Sequence, residues 1–236
     1  MLIEGDAKGL EVVCAAYLSG DKVLCEELHN KVDIHGDNQR TFGLPTRLIS
    51  KTFLFRILYG GTEFGFIKDS DFNYISNKID YWKEVISKFY EKYKGLEKWH
   101  LWLVKTAMDT GGYISPTGRR FSYKPYLNKQ GEYQWPRTQI LNFPVQSFGA
   151  DLMSIARISA HRRLKQQVLF INSVHDSILV DSPDEIVYHV CPVLEDVFVD
   201  IPKNFRKIFN KAFDLPMTGE IKYGHDWKNM VEYKKP

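Results

Sequence analysis

The sequence predicts an α+β fold from three features. Runs of strand length rich in β-branched and aliphatic residues stand near both ends of the chain, at Met1 to Gly5, Val168 to Asp181 and Met217 to Tyr223. Long stretches between them repeat their apolar residues at helical spacing, most clearly Tyr81, Val85, Phe89 and Tyr93. Finally, 236 residues that are 44% hydrophobic and 26% charged supply a substantial core, in one large domain or two.

The elements follow in order. Met1 to Gly5 is a short strand and Leu10 to Leu18 a helix that stops at the Ser19-Gly20-Asp21 turn, so Asp6 sits at a strand-to-helix junction. A second helix begins at Leu44 or Thr46, with Pro45 suited to its first turn, where a missing N–H costs least, and ends at Gly60-Gly61. Lys78 to about Met108 is mainly helical, with Gly95 as the expected point of interruption and Gly111-Gly112 as the stop. Tyr113 to Tyr123 forms a hairpin around Pro116-Thr117-Gly118, Asn142 to Leu164 a long helix, and Val168 to Asp181 a second hairpin. Pro183 to about Val199 is helical and Met217 to Tyr223 closes the chain as a strand; no internal repeat, low-complexity tract or linker stands out.

Composition excludes more than it identifies. A net charge of +3 is too small to mark a nucleic-acid binder, and the Arg119-Arg120 and Arg162-Arg163-Lys165 clusters read equally well as solvated faces. Cys14, Cys25 and Cys191 are odd in number and lack C-x-x-C spacing, which argues against a disulfide framework and a zinc site and for a reducing, cytoplasmic setting. No apolar run reaches the roughly eighteen residues of a membrane span, and Met1 leads straight into the first strand rather than into a signal sequence.

Chemistry concentrates in the segment RLISKTFLFRILYGG. Arg47, Lys51, Phe55 and Tyr59 recur every four residues, so each lies about 40° round and about 6 Å along the helix from the last. Such a face can take phosphates at one end and a stacked base at the other, although an amphipathic helix with two solvated cations explains a lone Arg-xxx-Lys pair as well. Asp6 in EGDAKGLE and Asp176 in NSVHDSIL are the conspicuous carboxylates outside it; either Asp alone is adequately explained as a turn or cap residue.

Taken together these segments resemble the family A DNA polymerases, the DNA polymerase I group. RLISKTFLFRILYG is similar to the family's fingers helix, MLIEGDAKGLEVVCAAYLSGD to its first catalytic motif, VLFINSVHDSILVD to its third, NFPVQSFGAD to the helix after the fingers and GEIKYGHDW to its carboxy-terminal strand, in order from Met1 to about Trp227. The resemblance implies a right-hand polymerase palm sheet with a mainly helical fingers subdomain, the thumb and exonuclease domain absent. It divides the chain into palm at 1–25, fingers at 26–135 and palm again at 136–236. The implied activity is DNA-templated DNA synthesis, with Asp6 and Asp176 holding two Mg2+ ions, Mn2+ being able to substitute, because crowded acids repel until a cation joins them.

Carried over residue by residue, Arg47 and Lys51 contact the phosphates of the incoming dNTP, and Lys51 also serves as general acid toward pyrophosphate. His35, in Asp33-Ile34-His35, reaches a phosphate, Phe55 stacks near sugar and base, and Tyr59 occupies the pocket of the templating base. Glu11 blocks a ribose 2′-hydroxyl. Asn142, Gln146 and Arg137 contact primer-template DNA, and His175 lies near the primer terminus. Taken singly, His35 is as well explained as a histidine at a helix start and Glu11 as an exposed helical acid.

The chain departs from the pattern at Ser177, where the third motif usually has Glu, at Val13, where the first motif usually has Arg, and at Thr138, where a basic residue often precedes the Asn by four. The expectation is a separately encoded palm-and-fingers subunit, perhaps of a bacteriophage polymerase acting in a bacterial cytoplasm. A second polypeptide would supply the thumb and pair with an otherwise open edge at Met1 to Gly5. Two rival readings stand beside it: a noncatalytic DNA-binding subunit derived from a polymerase, and a His-Asp metal-dependent phosphohydrolase built on His175-Asp176 with His29 or His35.

Overall fold

The computed structural model describes residues 1–235. The chain forms two compact units, one of Met1–Cys14 with Gln146–Pro236 and the other of Ala15–Val145.

Numbered in chain order, the strands of the first unit are β1 (Leu2–Ala7), β6 (Leu169–Asn172), β7 (Ser177–Asp181), β8 (Gly219–Gly224) and β9 (Val231–Glu232). They make one antiparallel sheet in the order β6-β7-β1-β8-β9. β1 is therefore central: Leu2 to Asp6 pair with Asp181 to Ser177 on one side, and Leu2 to Ala7 with Gly224 to Gly219 on the other. This corrects the expectation of an open edge at the amino-terminal strand. Segments distant in sequence return to both of its sides and satisfy its backbone, leaving the edges to β6 and β9.

Side chains alternate across β1, with Ile3, Gly5 and Ala7 buried and Leu2, Glu4 and Asp6 half-buried. The buried face meets helix α10 (Val187–Val199), which packs on β1 and β8. The Phe198 ring lies so close that a Cβ on Gly5 or Gly219 would fall 2.9 or 2.3 Å from one of its carbons. Glycine on two adjacent strands thus lets a large ring brace the sheet directly behind Asp6. Helix α11 (Ile201–Phe209) adds Phe205, whose ring lies 5.6 Å from Phe148 and 5.4 Å from Phe213.

The second unit is mostly helical: α2 (Lys22–His29), α3 (Ile34–Phe42), α4 (Arg47–Leu58), α5 (Glu63–Lys68), α6 (Ser70–Asn73), α7 (Ile79–Lys92) and α8 (Lys94–Thr110). Two small hairpins follow, β2 (Gly112–Ile114) with β3 (Arg120–Ser122), and β4 (Tyr126–Leu127) with β5 (Tyr133–Gln134). Helices α1 (Leu10–Ser19) and α9 (Arg137–Leu164) each contribute residues to both units. The buried rings of Phe53, Phe66, Phe72, Trp82 and Phe89 form the core of the second unit, with Phe66 stacked on Trp82 at 4.9 Å.

Three expected boundaries move. Helix α4 starts after Thr46, whose Oγ1 accepts the Ile49 N–H at 3.1 Å, so Thr46 is the cap and Pro45 lies outside the helix. The break between α7 and α8 falls at Tyr93 rather than Gly95: the buried Tyr93 donates its hydroxyl to Glu27 and Asn38, while Gly95 sits inside α8 with its N–H on Asp21 at 2.6 Å. Helix α9 begins at Arg137, five residues before Asn142, and runs through Pro144. The Ile140 N–H already bonds the Pro136 carbonyl, so the helix is under way before the proline removes a donor.

Candidate active site

Asp6 closes the half-buried face of β1 and Asp176 lies in the β6–β7 turn. That turn is tight: the Ser177 N–H donates to the Val174 carbonyl at 2.8 Å, and His175 adopts φ +51, a left-handed conformation that His tolerates better than most residues. The Asp176 carbonyl accepts the Ala7 N–H at 2.9 Å, which ties the turn to the end of β1 and brings the two aspartates side by side. The Asp6 carboxyl is pushed up to about 6, first by burial, then by the charge of Asp176 and that of Glu4.

The neighbouring acids are already engaged. Glu220, opposite Asp6 on β8, pairs with Lys222 at 2.9 Å and Lys8 at 3.4 Å, and the Lys222 hydrogen bond holds it below the usual carboxylate range. Glu4 accepts the Trp227 indole N–H at 3.3 Å. Two crowded oxygen donors, one of them destabilised as an anion, fit a hard divalent ion such as Mg2+, which needs few protein ligands. Among the described residues no group of three or more His, Cys, Asp or Glu is placed to chelate an ion, so a cation here would rest on this pair and on oxygens from outside the protein.

Glu11, in the first turn of α1, accepts the Gln146 side-chain N–H at 2.6 Å, which joins two residues singled out separately in the sequence. Ser177 is 4% exposed and directly opposite Asp6; a glutamate here would add a third acid to a crowded spot. Val13 is 2% exposed in the core, a position that suits a valine and not a solvated arginine.

In the second unit, α4 buries Ser50, Phe53, Leu54, Ile57 and Leu58 and turns Arg47 and Lys51 to solvent, with Phe55 half-buried between the two faces. Tyr59 is the C-cap rather than a member of the helix, its N–H on the Phe55 carbonyl at 3.2 Å. The Arg47 guanidinium forks onto Asp33, Nε at 3.0 Å from both carboxylate oxygens and Nη2 at 2.8 Å from one, which holds Asp33 below the usual carboxylate range. The His35 ring centre is 6.1 Å from that of Phe55, and burial followed by the charges of Arg47 and Lys51 lowers its basicity. Lys51 Nζ sits 5.8 Å over the Phe55 ring. Arg47, Lys51, His35 and Phe55 thus share one patch. Asp33 was missed as its organiser, and the Asp33 to Arg47 separation of a short helix and a turn carries no sequence signal for it.

On α9, Asn142 and Gln146 lie one turn apart, Gln146 exposed and Asn142 half-buried, with Arg137 and Thr138 exposed in the first turn. His175 is exposed at its turn. That turn joins two strands, and the His-Asp phosphohydrolase reading needs a helix there.

The fold is that of a polymerase domain: a solved structure described as the POL domain of Pol1 from M. smegmatis in complex with DNA primer-template and dNTP superposes with a TM-score of 0.80 at 20% identity, covering 96% of this chain and 40% of that one. The sequence model for DNA polymerase family A matches residues 1–229, and the chain belongs to that family. It is similar to DNA polymerase I of Caldicellulosiruptor bescii, with 28% identity over 96% of this chain and 26% of that protein. It is also similar to thermostable DNA polymerase I of Thermus aquaticus, with 25% identity over 98% of this chain and 27% of that protein. The chain therefore spans about a quarter of the length of these relatives.

Proposed function

We propose that this chain is the catalytic palm and fingers portion of a DNA-directed DNA polymerase, which joins a dNTP to a primer 3′-hydroxyl with release of pyrophosphate. The observation that carries the proposal is the nearness of Asp6 to Asp176, two crowded carboxylates, one at the end of a strand and the other in the turn beside it, in a family A fold. They would hold two Mg2+ ions, or Mn2+, whose chemistry is to acidify the primer hydroxyl and to stabilise charge on the leaving group.

The remaining residues bind, orient and select. Arg47 and Lys51 hold the triphosphate, the fork to Asp33 fixing one edge of Arg47 and leaving its other N–H groups to a phosphate. Lys51 gives a proton to the departing pyrophosphate. His35, with its basicity lowered, approaches a phosphate oxygen as a neutral N–H donor. Phe55 packs on the sugar and base, and Tyr59 fills the place of the templating base. Glu11, held by Gln146, excludes a 2′-hydroxyl by bulk. Asn142, Gln146 and Arg137 meet the primer-template, and His175 the primer end. Further polymerase segments that include a thumb, in a second polypeptide of a split bacteriophage enzyme, complete the DNA grip in a bacterial cytoplasm.

Primer extension with the chain and its complementing segments tests this. Asp176→Ala and Asp6→Ala should each abolish extension and leave DNA binding intact; more than a few percent residual single-turnover rate would refute the metal assignment. The noncatalytic reading, favoured only by Ser177, gains if the wild-type protein binds primer-template and never extends it.

A further inference from the structure

The Arg162-Arg163-Lys165 cluster has no part in the proposed activity, and it lies at the end of α9 beside the edge strand β6. No Asp or Glu stands between Asp151 and Asp176, whereas Arg157, Arg162, Arg163 and Lys165 all fall there. Within the first unit α9 buries Leu152, Ile155 and Leu164 and exposes a stripe at helical spacing, Arg157, Ile158, His161, Arg162 and Lys165. Ile158 is the one bulky aliphatic side chain on that cationic stripe, and it is 51% exposed.

Between the stripe and β6 the surface opens into a pocket of about 600 Å3. Ile158 and Phe170 give it an apolar lining, the His161 ring lies 5.5 Å from that of Phe170, and Arg157 and Arg162 complete the wall. Arg157 Nη2 donates to Ser154 Oγ at 3.0 Å, which lays the arginine stem along the helix and leaves its other N–H groups outward. Arg163 is engaged elsewhere, by Asp200, and Asp181, opposite Leu169 on β7, is engaged by the Met1 amine. Among the described residues Arg157 and Arg162 pair with no acid.

We propose that this pocket docks an acidic segment of a partner protein, one large apolar side chain seating between Ile158 and Phe170 while carboxylates fork onto Arg157 and Arg162. Charge complementarity selects this occupant: two arginines without an internal acid call for carboxylates, and planar guanidiniums match them in pairs of hydrogen bonds. The apolar lining calls for an anchor that a sugar-phosphate backbone does not carry. A second copy of this chain would set the same cations against each other, a juxtaposition that like charges oppose. The pocket shares no residue with the aspartate pair, the cationic patch on α4 or the DNA contacts assigned above, and it does not depend on nucleotidyl transfer.

The test is fluorescence anisotropy of the 236-residue chain with a fluorescein-labelled peptide of about ten residues, Asp and Glu on both sides of a central Leu-Phe pair. Binding should saturate, and Ile158→Asp and the double variant Arg157→Glu with Arg162→Glu should each weaken it by at least about tenfold. All three positions are exposed, so circular dichroism should show both variants folded. A peptide with Ser-Ser in place of Leu-Phe should also bind about tenfold more weakly. No saturable binding up to about 1 mM peptide overturns the proposal, as does wild-type affinity in both variants. Equal affinity for the Ser-Ser peptide overturns it by showing attraction of charge alone. Full displacement by oligothymidylate assigns the pocket to nucleic acid, and a dimer in sedimentation velocity that Ile158→Asp dissociates assigns it to a second copy; either outcome overturns the partner segment.

Discussion

In the absence of divalent cations Asp6 should give the protein an unusual pH dependence of stability. Its carboxyl titrates at about 6 in the folded protein against an ordinary 3.8, with burial the largest cause and Asp176 the next. The folded state therefore keeps a proton that the unfolded chain has released, and between these two values stability falls as pH rises. The contribution is fully present below about 3.8 and lost above about 6. At about 1.4 kcal/mol per pH unit the interval is worth about 3 kcal/mol, and screening at a half-buried site reduces this to roughly 1–2 kcal/mol. For a chain of this length the melting temperature in EDTA should drop by about 3–6 °C across the window through this residue alone. Mg2+ at a hundred times its dissociation constant should restore about 2.7 kcal/mol above pH 6 and little below pH 4, where the proton competes. Melting curves of wild type and Asp6→Asn, with EDTA and with Mg2+, make the measurement. An Asp6→Asn protein with the wild-type slope in EDTA would refute the reasoning, as would a Mg2+ effect that ignores pH.

Two further outcomes follow from other contacts. Lys92 Nζ lies within 2.8 Å of Glu27, Asp37 and Asn38 in a largely buried network. Lys92→Ala should cost about 3–5 kcal/mol in urea unfolding because two carboxylates lose their counter-charge; a loss below about 1 kcal/mol would mean that water replaces the lysine freely. If Glu11 excludes ribose by bulk and Gln146 fixes its position, Glu11→Ala should admit ribonucleotides and Gln146→Leu should do so more weakly. Unchanged ratios of ribonucleotide to deoxynucleotide incorporation in both variants would remove this pair from sugar selection.

Much of this architecture was legible in the sequence because local chemistry and tertiary demand agree. The Arg47 to Tyr59 stripe, the Gly60-Gly61 stop and the turn at His175-Asp176 are readable at a range of a few residues. Legibility failed where distant partners decide. Nothing in Met1 to Gly5 says that β7 and β8 will flank it, since an apolar strand reads alike at an edge and at a centre. Gly95 looked like a breaker because its role, close approach to Asp21, belongs to a segment some seventy residues away. The long helix was expected from Asn142, and the structure starts α9 at Arg137, so that Pro144 lies inside the helix at the cost of a backbone hydrogen bond. At the site, the carboxylate pair and the cationic face were visible as motifs, whereas Asp33 as the organiser of Arg47 and Lys222 as the neutraliser of Glu220 emerge only from folded contacts.

The central place of β1 also changes where dependence on further polymerase segments should appear. An edge strand would leave Asp6 poorly held, and metal binding, nucleotide binding and DNA binding would then fail together in the isolated chain. With β7 and β8 on either side and Phe198 braced behind Gly5, the carboxylates need no partner for support. The cationic patch on α4 is likewise complete within its own unit, since Asp33, His35, Arg47, Lys51 and Phe55 all belong to it. Duplex retention is different: it scales with the number of phosphates neutralised, and the 32 Lys and Arg of this chain are nearly offset by 29 Asp and Glu, which leaves a net charge of only +3 for that task. Cation and nucleotide affinity should therefore be nearly independent of a complementing polypeptide, while residence on primer-template should rise steeply when one is added. The two behaviours separate because each small site is assembled by contacts within one unit, and the grip on a duplex is a sum over a surface.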